Sequence, residues 1–244
     1  MLLFGFGYGY PIYYGFDRTY LLVLVAAIFS LWASARVNST YNKFSKVRSM
    51  QGITGAEAAQ RILYYAGLTN IRVEHVSGNL TDHYDPKSKV LRLSDATYGS
   101  TSVAAIGVAA HECGHAIQDQ QGYAPLRLRS TLVPVASLGS KLGLPIILFG
   151  ILLGSNYTLV QIGIWAFSLA VLFQLVTLPV EFNASRRAMD ILESRGILGS
   201  QELPMCKKVL SAAAMTYVAA AASSVLQLLR LVLLFGGNNR RRND

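Results

Sequence analysis

The run His111-Glu112-Cys113-Gly114-His115 holds the residue types with the most chemistry in this chain. Residues four apart on an α-helix share a face, so His111 and His115 project side by side. Two imidazoles so placed can hold one Zn²⁺ at about 2.0–2.1 Å each. Glu112 is rotated off the pair yet adjacent to it, where it can take a proton from water that zinc has acidified. Gly114 keeps the helix slim, allowing close approach of substrate or a neighbouring element, and Cys113 points away from both histidines. His-x-x-x-His pairs also arise by accident. Here the pair encloses a Glu, and the small apolar run Val103–Ala110 leads into it as a helix. The spacing predicts a zinc hydrolase centre rather than a purely structural pair.

A catalytic zinc takes three protein ligands and keeps one position open. The remaining histidines are His75 and His83, and the best carboxylate is Glu181, at the mouth of an apolar segment within Pro179-Val180-Glu181-Phe182-Asn183-Ala184-Ser185-Arg186-Arg187-Ala188. A carboxylate there is unfavourable unless it faces a partner or a metal. The plainer alternative is a Glu in the first turn of a new helix after Pro179, favoured by the helix dipole. Oxyanion stabilisation needs one more donor near the metal, for which His83, Tyr84 and Tyr217 are candidates; each also fits a turn or an interfacial aromatic. Arg186 and Arg187 could bind a substrate carboxylate, although snorkelling at a membrane edge is the simpler role.

The elements that must position these groups are largely apolar. Hydrophobic residues make up 52% of the 244 residues and charged ones 14%, against roughly 25% charged in soluble domains. The excess lies in long runs, as expected of spanning helices. The first runs from about Thr19 to Ala35. The second and third, about Leu132–Gly154 and Leu159–Val180, are joined by Ser155-Asn156-Tyr157-Thr158 and form an antiparallel transmembrane hairpin. Lys141 weakens the front half of the second. The fourth, about Ala212–Phe235, contains Arg230, and it could span, re-enter or lie on the surface.

The net charge of +9 comes from 22 Lys and Arg against 13 Asp and Glu. These charges flank the apolar runs instead of forming an aromatic-interleaved patch, which favours membrane topology over nucleic-acid binding. Arg36, Lys43, Lys46 and Arg48 follow the first run, so it reads as an uncleaved anchor with its N-terminus outside. If the fourth run spans, Arg240-Arg241-Arg242 lies outside too, against the positive-inside tendency. Two cysteines, Cys113 and Cys206, imply no disulfide framework, and a reducing compartment fits them better.

Between the first run and the hairpin, a polar stretch from about Val37 to Ser130 predicts a small domain. A capping box at Thr54 and Glu57 starts a helix that stops at Gly67. Strand-like runs follow at Ile71–Val76 and Lys89–Ser94, separated by the turn-rich Ser77–Pro86. A helix from near Ser102 then carries the His motif.

With these residues in view, the chain resembles a known group. His111–His115 together with Glu181–Ala188 resembles the gluzincin pattern H-E-x-x-H … E-x-x-A-D-x-x-A of HtpX-type heat-shock proteases and CAAX prenyl proteases. Nearly the whole chain, about Val37 to Phe235, is more closely similar to the YugP-like family of membrane neutral zinc metallopeptidases. The stretches that carry this are Leu80–Pro86, Val108–Gln118, Gly122–Leu126, Leu178–Ala188 and Thr216–Ala221. The resemblance implies Zn²⁺ as cofactor, Glu181 as third ligand and Glu112 as general base. The pattern's Asp, which orients a ligand His, is Ser185 here, so the residues behind the ligands must differ, with Asp190 or Asn183 as substitutes. The resemblance also implies a minimal zincin core whose strand Lys89–Ser94, with Val90, Leu91 and Arg92, is an edge that binds extended peptide by strand addition.

The expectation is therefore an α+β membrane protein, a small zincin-like core of helices and a short sheet combined with three or four transmembrane helices. Its parts are an N-terminal segment and anchor (1–36), the zincin-like domain (37–130), the transmembrane hairpin (131–180), the third-ligand helix and connection (181–211), and the C-terminal apolar helix with its basic tail (212–244). The function expected is hydrolysis of peptide bonds in membrane-proximal or misfolded proteins at the cytoplasmic face of the cell (inner) membrane. The alternative is a zinc-binding membrane scaffold without turnover. Partners are a peptide or protein substrate and the lipid bilayer, with no nucleic acid, and the sequence leaves the oligomeric state open.

Overall fold

A computed structural model describes residues 17–154 and 156–236. In chain order these form α1 (Tyr20–Phe44), α2 (Gly55–Tyr65), β1 (Arg72–Val76), β2 (His83–Asp85), β3 (Val90–Ser94), α3 (Val103–Gln120), α4 (Ala124–Leu152), α5 (Tyr157–Ser194) and α6 (Leu203–Phe235). The architecture is the expected α+β membrane type, with α1, α4, α5 and α6 each long and apolar enough to cross a membrane. Their large apolar side chains largely face outward: Leu31 of α1, Leu152 of α4 and Trp165 of α5 are each more than 70% exposed. So extensive an apolar surface needs lipid rather than water around it.

The α1 and α6 helices run antiparallel along their whole length. At one end Arg230 Nε donates to Thr19 Oγ1 at 3.2 Å, in the middle the Ser30 and Ser223 hydroxyls meet at 3.0 Å, and at the other end Phe44 packs with Val209. The fourth apolar segment is therefore one continuous helix paired with the first, and both are long and apolar enough to cross a membrane. Arg230 is not a bare charge in the apolar layer. Its guanidinium is 3.9 Å from Asp17 and stacks over the Tyr20 ring at 4.2 Å, at the same end of the bundle. The tail Arg240-Arg241-Arg242 lies outside the described residues.

The hairpin of α4 and α5 closes on small residues: a Cβ on Gly163 would come within 2.7 Å of the Gly143 carbonyl oxygen. Pro134, Pro145 and Pro179 all lie inside these helices without ending them. In consequence α5 carries on from the membrane into the core as one helix of 38 residues. The expected boundaries at 36/37, 130/131, 180/181 and 211/212 all fall inside continuous helices. The helices α1, α4, α5 and α6 thus run without interruption from the apolar spans into the parts that surround the His motif.

In the core, α2 begins with the expected capping box, Glu57 N–H donating to Thr54 Oγ1 and Thr54 N–H to Glu57 Oε2. Ser102 caps α3 through Ala105 N–H. Ile62, Leu91, Leu93, Ile106, Leu192, Ile197 and Leu198 pack α2, the sheet, α3 and the end of α5 into one apolar cluster.

The sheet corrects one expectation. Its order is β1-β3-β2, with β1 parallel and β2 antiparallel to β3. The 90–94 strand is therefore central, not an edge: β1 and β2 occupy both its sides. Val90 and Leu91 are essentially fully buried, and Arg92 is engaged by Glu74 and Asp85. No peptide can add to β3, so Val90, Leu91 and Arg92 lose the strand-addition role. The edge facing α3 is β2, which lies within the stretch expected to be turns.

Candidate metal centre

The motif helix and the membrane-derived helix meet at Gly114. A Cβ at this position would overlap the carbonyl oxygen of Ala184 on α5, so only glycine lets the two backbones come this close. That approach sets Glu181 opposite His111 and His115. One ligand atom from each of the three lies within 4.8 Å of the others. Glu181 Oε2 is 3.2 Å from His111 Nε2 and 3.7 Å from His115 Nε2. The Glu181 side chain is only 3% exposed, and its other oxygen, Oε1, accepts from Arg129 Nη1 of α4 at 3.1 Å.

The groups behind the ligands decide whether a metal fits. Gln118 is fully buried. Its Nε2 donates to Val180 O at 2.8 Å and Asn183 Oδ1 at 2.9 Å. Both partners only accept, which fixes the amide orientation and turns Gln118 Oε1 toward His115 Nδ1, 3.0 Å away. An amide oxygen can only accept, so His115 carries a proton on Nδ1 and turns Nε2 toward the metal position. Nε2 faces the Glu181 carboxylate at 3.7 Å, a contact that needs positive charge between the two, from a proton or from a metal ion. Ser185 Oγ, 3.1 Å from His111 Nδ1, can accept from that nitrogen and free Nε2 in the same way. The donor set, two imidazoles and one carboxylate, suits Zn²⁺ with a position left open.

The electrostatics agree. Burial opposes a charge on His115, but the Glu181 hydrogen bond and the Glu112 charge outweigh it and raise its pKa. A field that draws a proton to this spot draws a divalent cation more strongly. Cys113 lies on the opposite face of α3, fully buried, with its thiol held protonated by desolvation. It is a packing residue here, and both cysteines are free.

Glu112 faces the same cleft from beside the ligands. Its Oε2 accepts the Tyr84 backbone N–H at 3.1 Å. The base candidate is thus tied to β2, the strand next to the cleft. The Tyr84 hydroxyl points elsewhere, donating to Asp119 Oδ2 at 2.8 Å, where Lys89 also binds at 2.6 Å.

The other residues singled out in the sequence separate clearly. Tyr217 of α6 lines the cleft together with Glu112 and Glu181. His83 stands at its rim with both ring nitrogens engaged, by Thr81 O at 2.8 Å and Arg92 Nη1 at 3.4 Å. Asn183 reaches the site through Gln118 and also accepts from Arg187 Nε at 2.6 Å. Asp190 is exposed on α5, more than two turns past Glu181, and has no hydrogen bond to a ligand among the described residues. His75 bonds Asp95 at 2.6 Å on the surface, away from the cluster. Gln118 and Arg129 escaped the sequence reading. Gln118 carried a usable signal, because position i+3 from His115 on a helix is in reach of its ring. Arg129 carried none beyond its place at a membrane edge.

A half-buried histidine pair and a buried carboxylate, delivered by a helix that leaves a membrane hairpin, define the class: the chain belongs to the neutral zinc metallopeptidase family. The family model described as "Putative neutral zinc metallopeptidase" matches residues 19–236. The chain is also 49% identical over 200 residues to the "Putative membrane protease YugP" of Bacillus subtilis, covering 82% of this chain and 88% of that protein. No solved structure matches it.

Proposed function

We propose that this protein hydrolyses peptide bonds in membrane-proximal or misfolded proteins, as a gluzincin-type endopeptidase with His111, His115 and Glu181 as zinc ligands and Glu112 as general base. The observation that carries this reading is the convergence of those three side chains beside a glutamate tied to a strand edge. Zn²⁺ bound there supplies Lewis acidity, polarising a carbonyl and lowering the pKa of water.

The rest falls to the chain's own groups. Glu112 accepts a proton from water and passes it to the leaving amine. The Tyr84 N–H holds that carboxylate in place. Gln118 and Ser185 orient the imidazoles, with Asn183 fixing Gln118. Arg129 occupies Glu181 Oε1, leaving Oε2 for the metal. Tyr217, across the cleft from β2, donates to the developing oxyanion; His83, with both ring nitrogens engaged, is the weaker candidate. Substrate lies along the outer edge of β2.

The active site faces the cytoplasm in this reading. Arg36, Lys43, Lys46 and Arg48 at the end of α1, and Arg127, Arg129, Arg186 and Arg187 at the open ends of the hairpin, belong to the core's end of the spanning helices, as the positive-inside rule favours.

The test is zinc content and cleavage of casein or a membrane substrate by the wild type, Glu112→Gln and Glu181→Ala. The expected result is zinc retained and turnover lost in Glu112→Gln, and zinc lost in Glu181→Ala. Full activity in Glu112→Gln ends the hydrolase reading, and unchanged zinc affinity in Glu181→Ala removes the third ligand. Zinc binding with no cleavage by the wild type supports the scaffold instead.

A further inference from the structure

Lys141 is the only charged residue between Leu132 and Leu152 of α4. It is exposed, and among the described residues it has neither a hydrogen bond nor an ion pair. At about 1.5 Å of rise per residue it stands about 18 Å from Arg129, at the core end, and about 16 Å from Leu152. With α4 crossing a hydrocarbon layer of about 30 Å, that is close to mid-depth. Lysines snorkel to the headgroups from near a helix end, and Lys141 is far from both. An unanswered charge at this depth is strongly unfavourable, so it calls for a partner.

The hairpin does not supply one. Gly139, Gly143, Ile147 and Gly150 form the face of α4 that packs on α5. Lys141 lies away from them, in the row Pro134, Leu138, Lys141, Pro145, Leu148 and Leu152, every member of which is exposed. Steps of four and three residues are the spacing with which one helix seats a second alongside it. Pro145 has no N–H to give the Lys141 carbonyl four residues back, so a bare acceptor adjoins the bare charge. The seam is apolar along its length and polar at its centre.

The occupant of that seam must bring the opposite charge. None of the chain's 13 Asp and Glu falls within the apolar runs 19–35, 132–154, 159–180 and 212–235. Asp17 and Glu181, at the ends of such runs, already meet Arg230 and Arg129. A second copy of this chain therefore has no carboxylate to set against Lys141. We propose that the Lys141 face of α4 docks a spanning helix of a different membrane protein, one that carries Asp or Glu near mid-bilayer. Ser130, about three turns before Lys141 on the same face, borders the cavity between β2 and α4 together with Glu112 and His115. A helix seated on Lys141 thus brings its protein to the mouth of the metal centre, and the docking stands whether or not the chain cleaves what it binds.

The test uses the full chain in phospholipid vesicles with synthetic spanning peptides, rich in Leu and Ala, that bear Glu, Gln or Leu at the central position. Energy transfer between dyes on peptide and protein reads their association. The Glu peptide is expected to bind about 3–20-fold more tightly than the other two. Lys141→Leu should abolish that preference and Lys141→Arg should keep it. Lys141→Glu should transfer it to a peptide with a central Lys, a gain that a misfolded variant cannot imitate. Equal binding of the three peptides to the wild type overturns the proposal, as does a Glu preference that persists in Lys141→Leu. Energy transfer between differently labelled wild-type copies that Lys141→Leu removes also overturns it, because the face is then an interface of the chain with itself.

Discussion

Ser185 Oγ sits 3.1 Å from His111 Nδ1, one helical turn past Glu181 on the same face of α5. The gluzincin pattern that Glu181–Ala188 resembles has an Asp at this place; here a hydroxyl meets the imidazole. A hydroxyl is a weaker acceptor than a carboxylate, so the His111 ring is less strongly polarised. Ser185→Ala should lower zinc affinity by about tenfold, the low end for loss of a group behind a ligand. Ser185→Asp should raise it above wild type. Zinc competition against a chelator of known affinity measures both, and equal affinities across the three proteins would show that Ser185 does not orient the ligand.

Gln118 makes the stronger prediction, because each of its polar atoms is used. Replacing it with Leu keeps the volume but strands His115 Nδ1–H and removes a donor from Val180 O and Asn183 Oδ1. Asn183 Oδ1 keeps Arg187, but leaving the His115 N–H without its partner costs about 1–3 kcal/mol. Gln118→Leu should therefore lower the zinc-free melting temperature and also weaken zinc binding, because the His115 tautomer is no longer fixed. Gln118→Glu keeps an acceptor for His115 but sets a carboxylate against Val180 O and Asn183 Oδ1, and should be no better. Thermal unfolding with and without zinc separates the two effects.

Tyr84 links pH to the strand that holds Glu112. Burial of the phenol, and its hydrogen bond to the Asp119 carboxylate, push its pKa above the ordinary 10.0. The folded value lies above the unfolded one, so this stabilisation is complete below the unfolded pKa and is lost as pH rises through it toward the folded value. The wild type should lose stability above pH about 10 more steeply than Tyr84→Phe. At neutral pH the variant should be less stable by about 1 kcal/mol, the worth of one hydrogen bond. Denaturation midpoints from pH 7 to 11 check both; parallel curves would show that the phenol's link to Asp119 does not stabilise the fold.

The legible parts of this molecule were those with local signatures. The Thr54–Glu57 capping box, the apolar runs and the His motif each rest on residues a few positions apart, so their chemistry is written in spacing. The Glu181 carboxylate could be suspected from its awkward position, and only the packing of α3 on α5 sets it beside the histidines. Sheet order was out of reach for a different reason. His83–Asp85 is three residues long in a stretch full of turn formers, and pairing between distant strands leaves no periodic trace in so short a piece. The pairing of α6 with α1 was hidden by Arg230, whose partners Asp17 and Thr19 lie more than 200 residues away.

Gly114 offers the most direct test of how fold makes site. The two helices meet backbone to backbone there, and Ala184, whose carbonyl a methyl group would strike, lies between Glu181 and Ser185 on α5. A backbone carbonyl cannot swing away as a side chain can, so Gly114→Ala must push α3 from α5. Overpacking of this kind costs about 1–3 kcal/mol, which the apolar cluster of Leu91, Leu93, Ile106 and Leu192 can absorb without unfolding. The metal centre cannot absorb it, because His111 and His115 belong to one helix and Glu181 to the other. The expected outcome is a folded, membrane-inserted protein with normal helix content and severely weakened zinc binding. Circular dichroism alongside bound-zinc measurement checks this. Wild-type zinc affinity in Gly114→Ala would show that the closeness of α3 and α5 does not control assembly of the site.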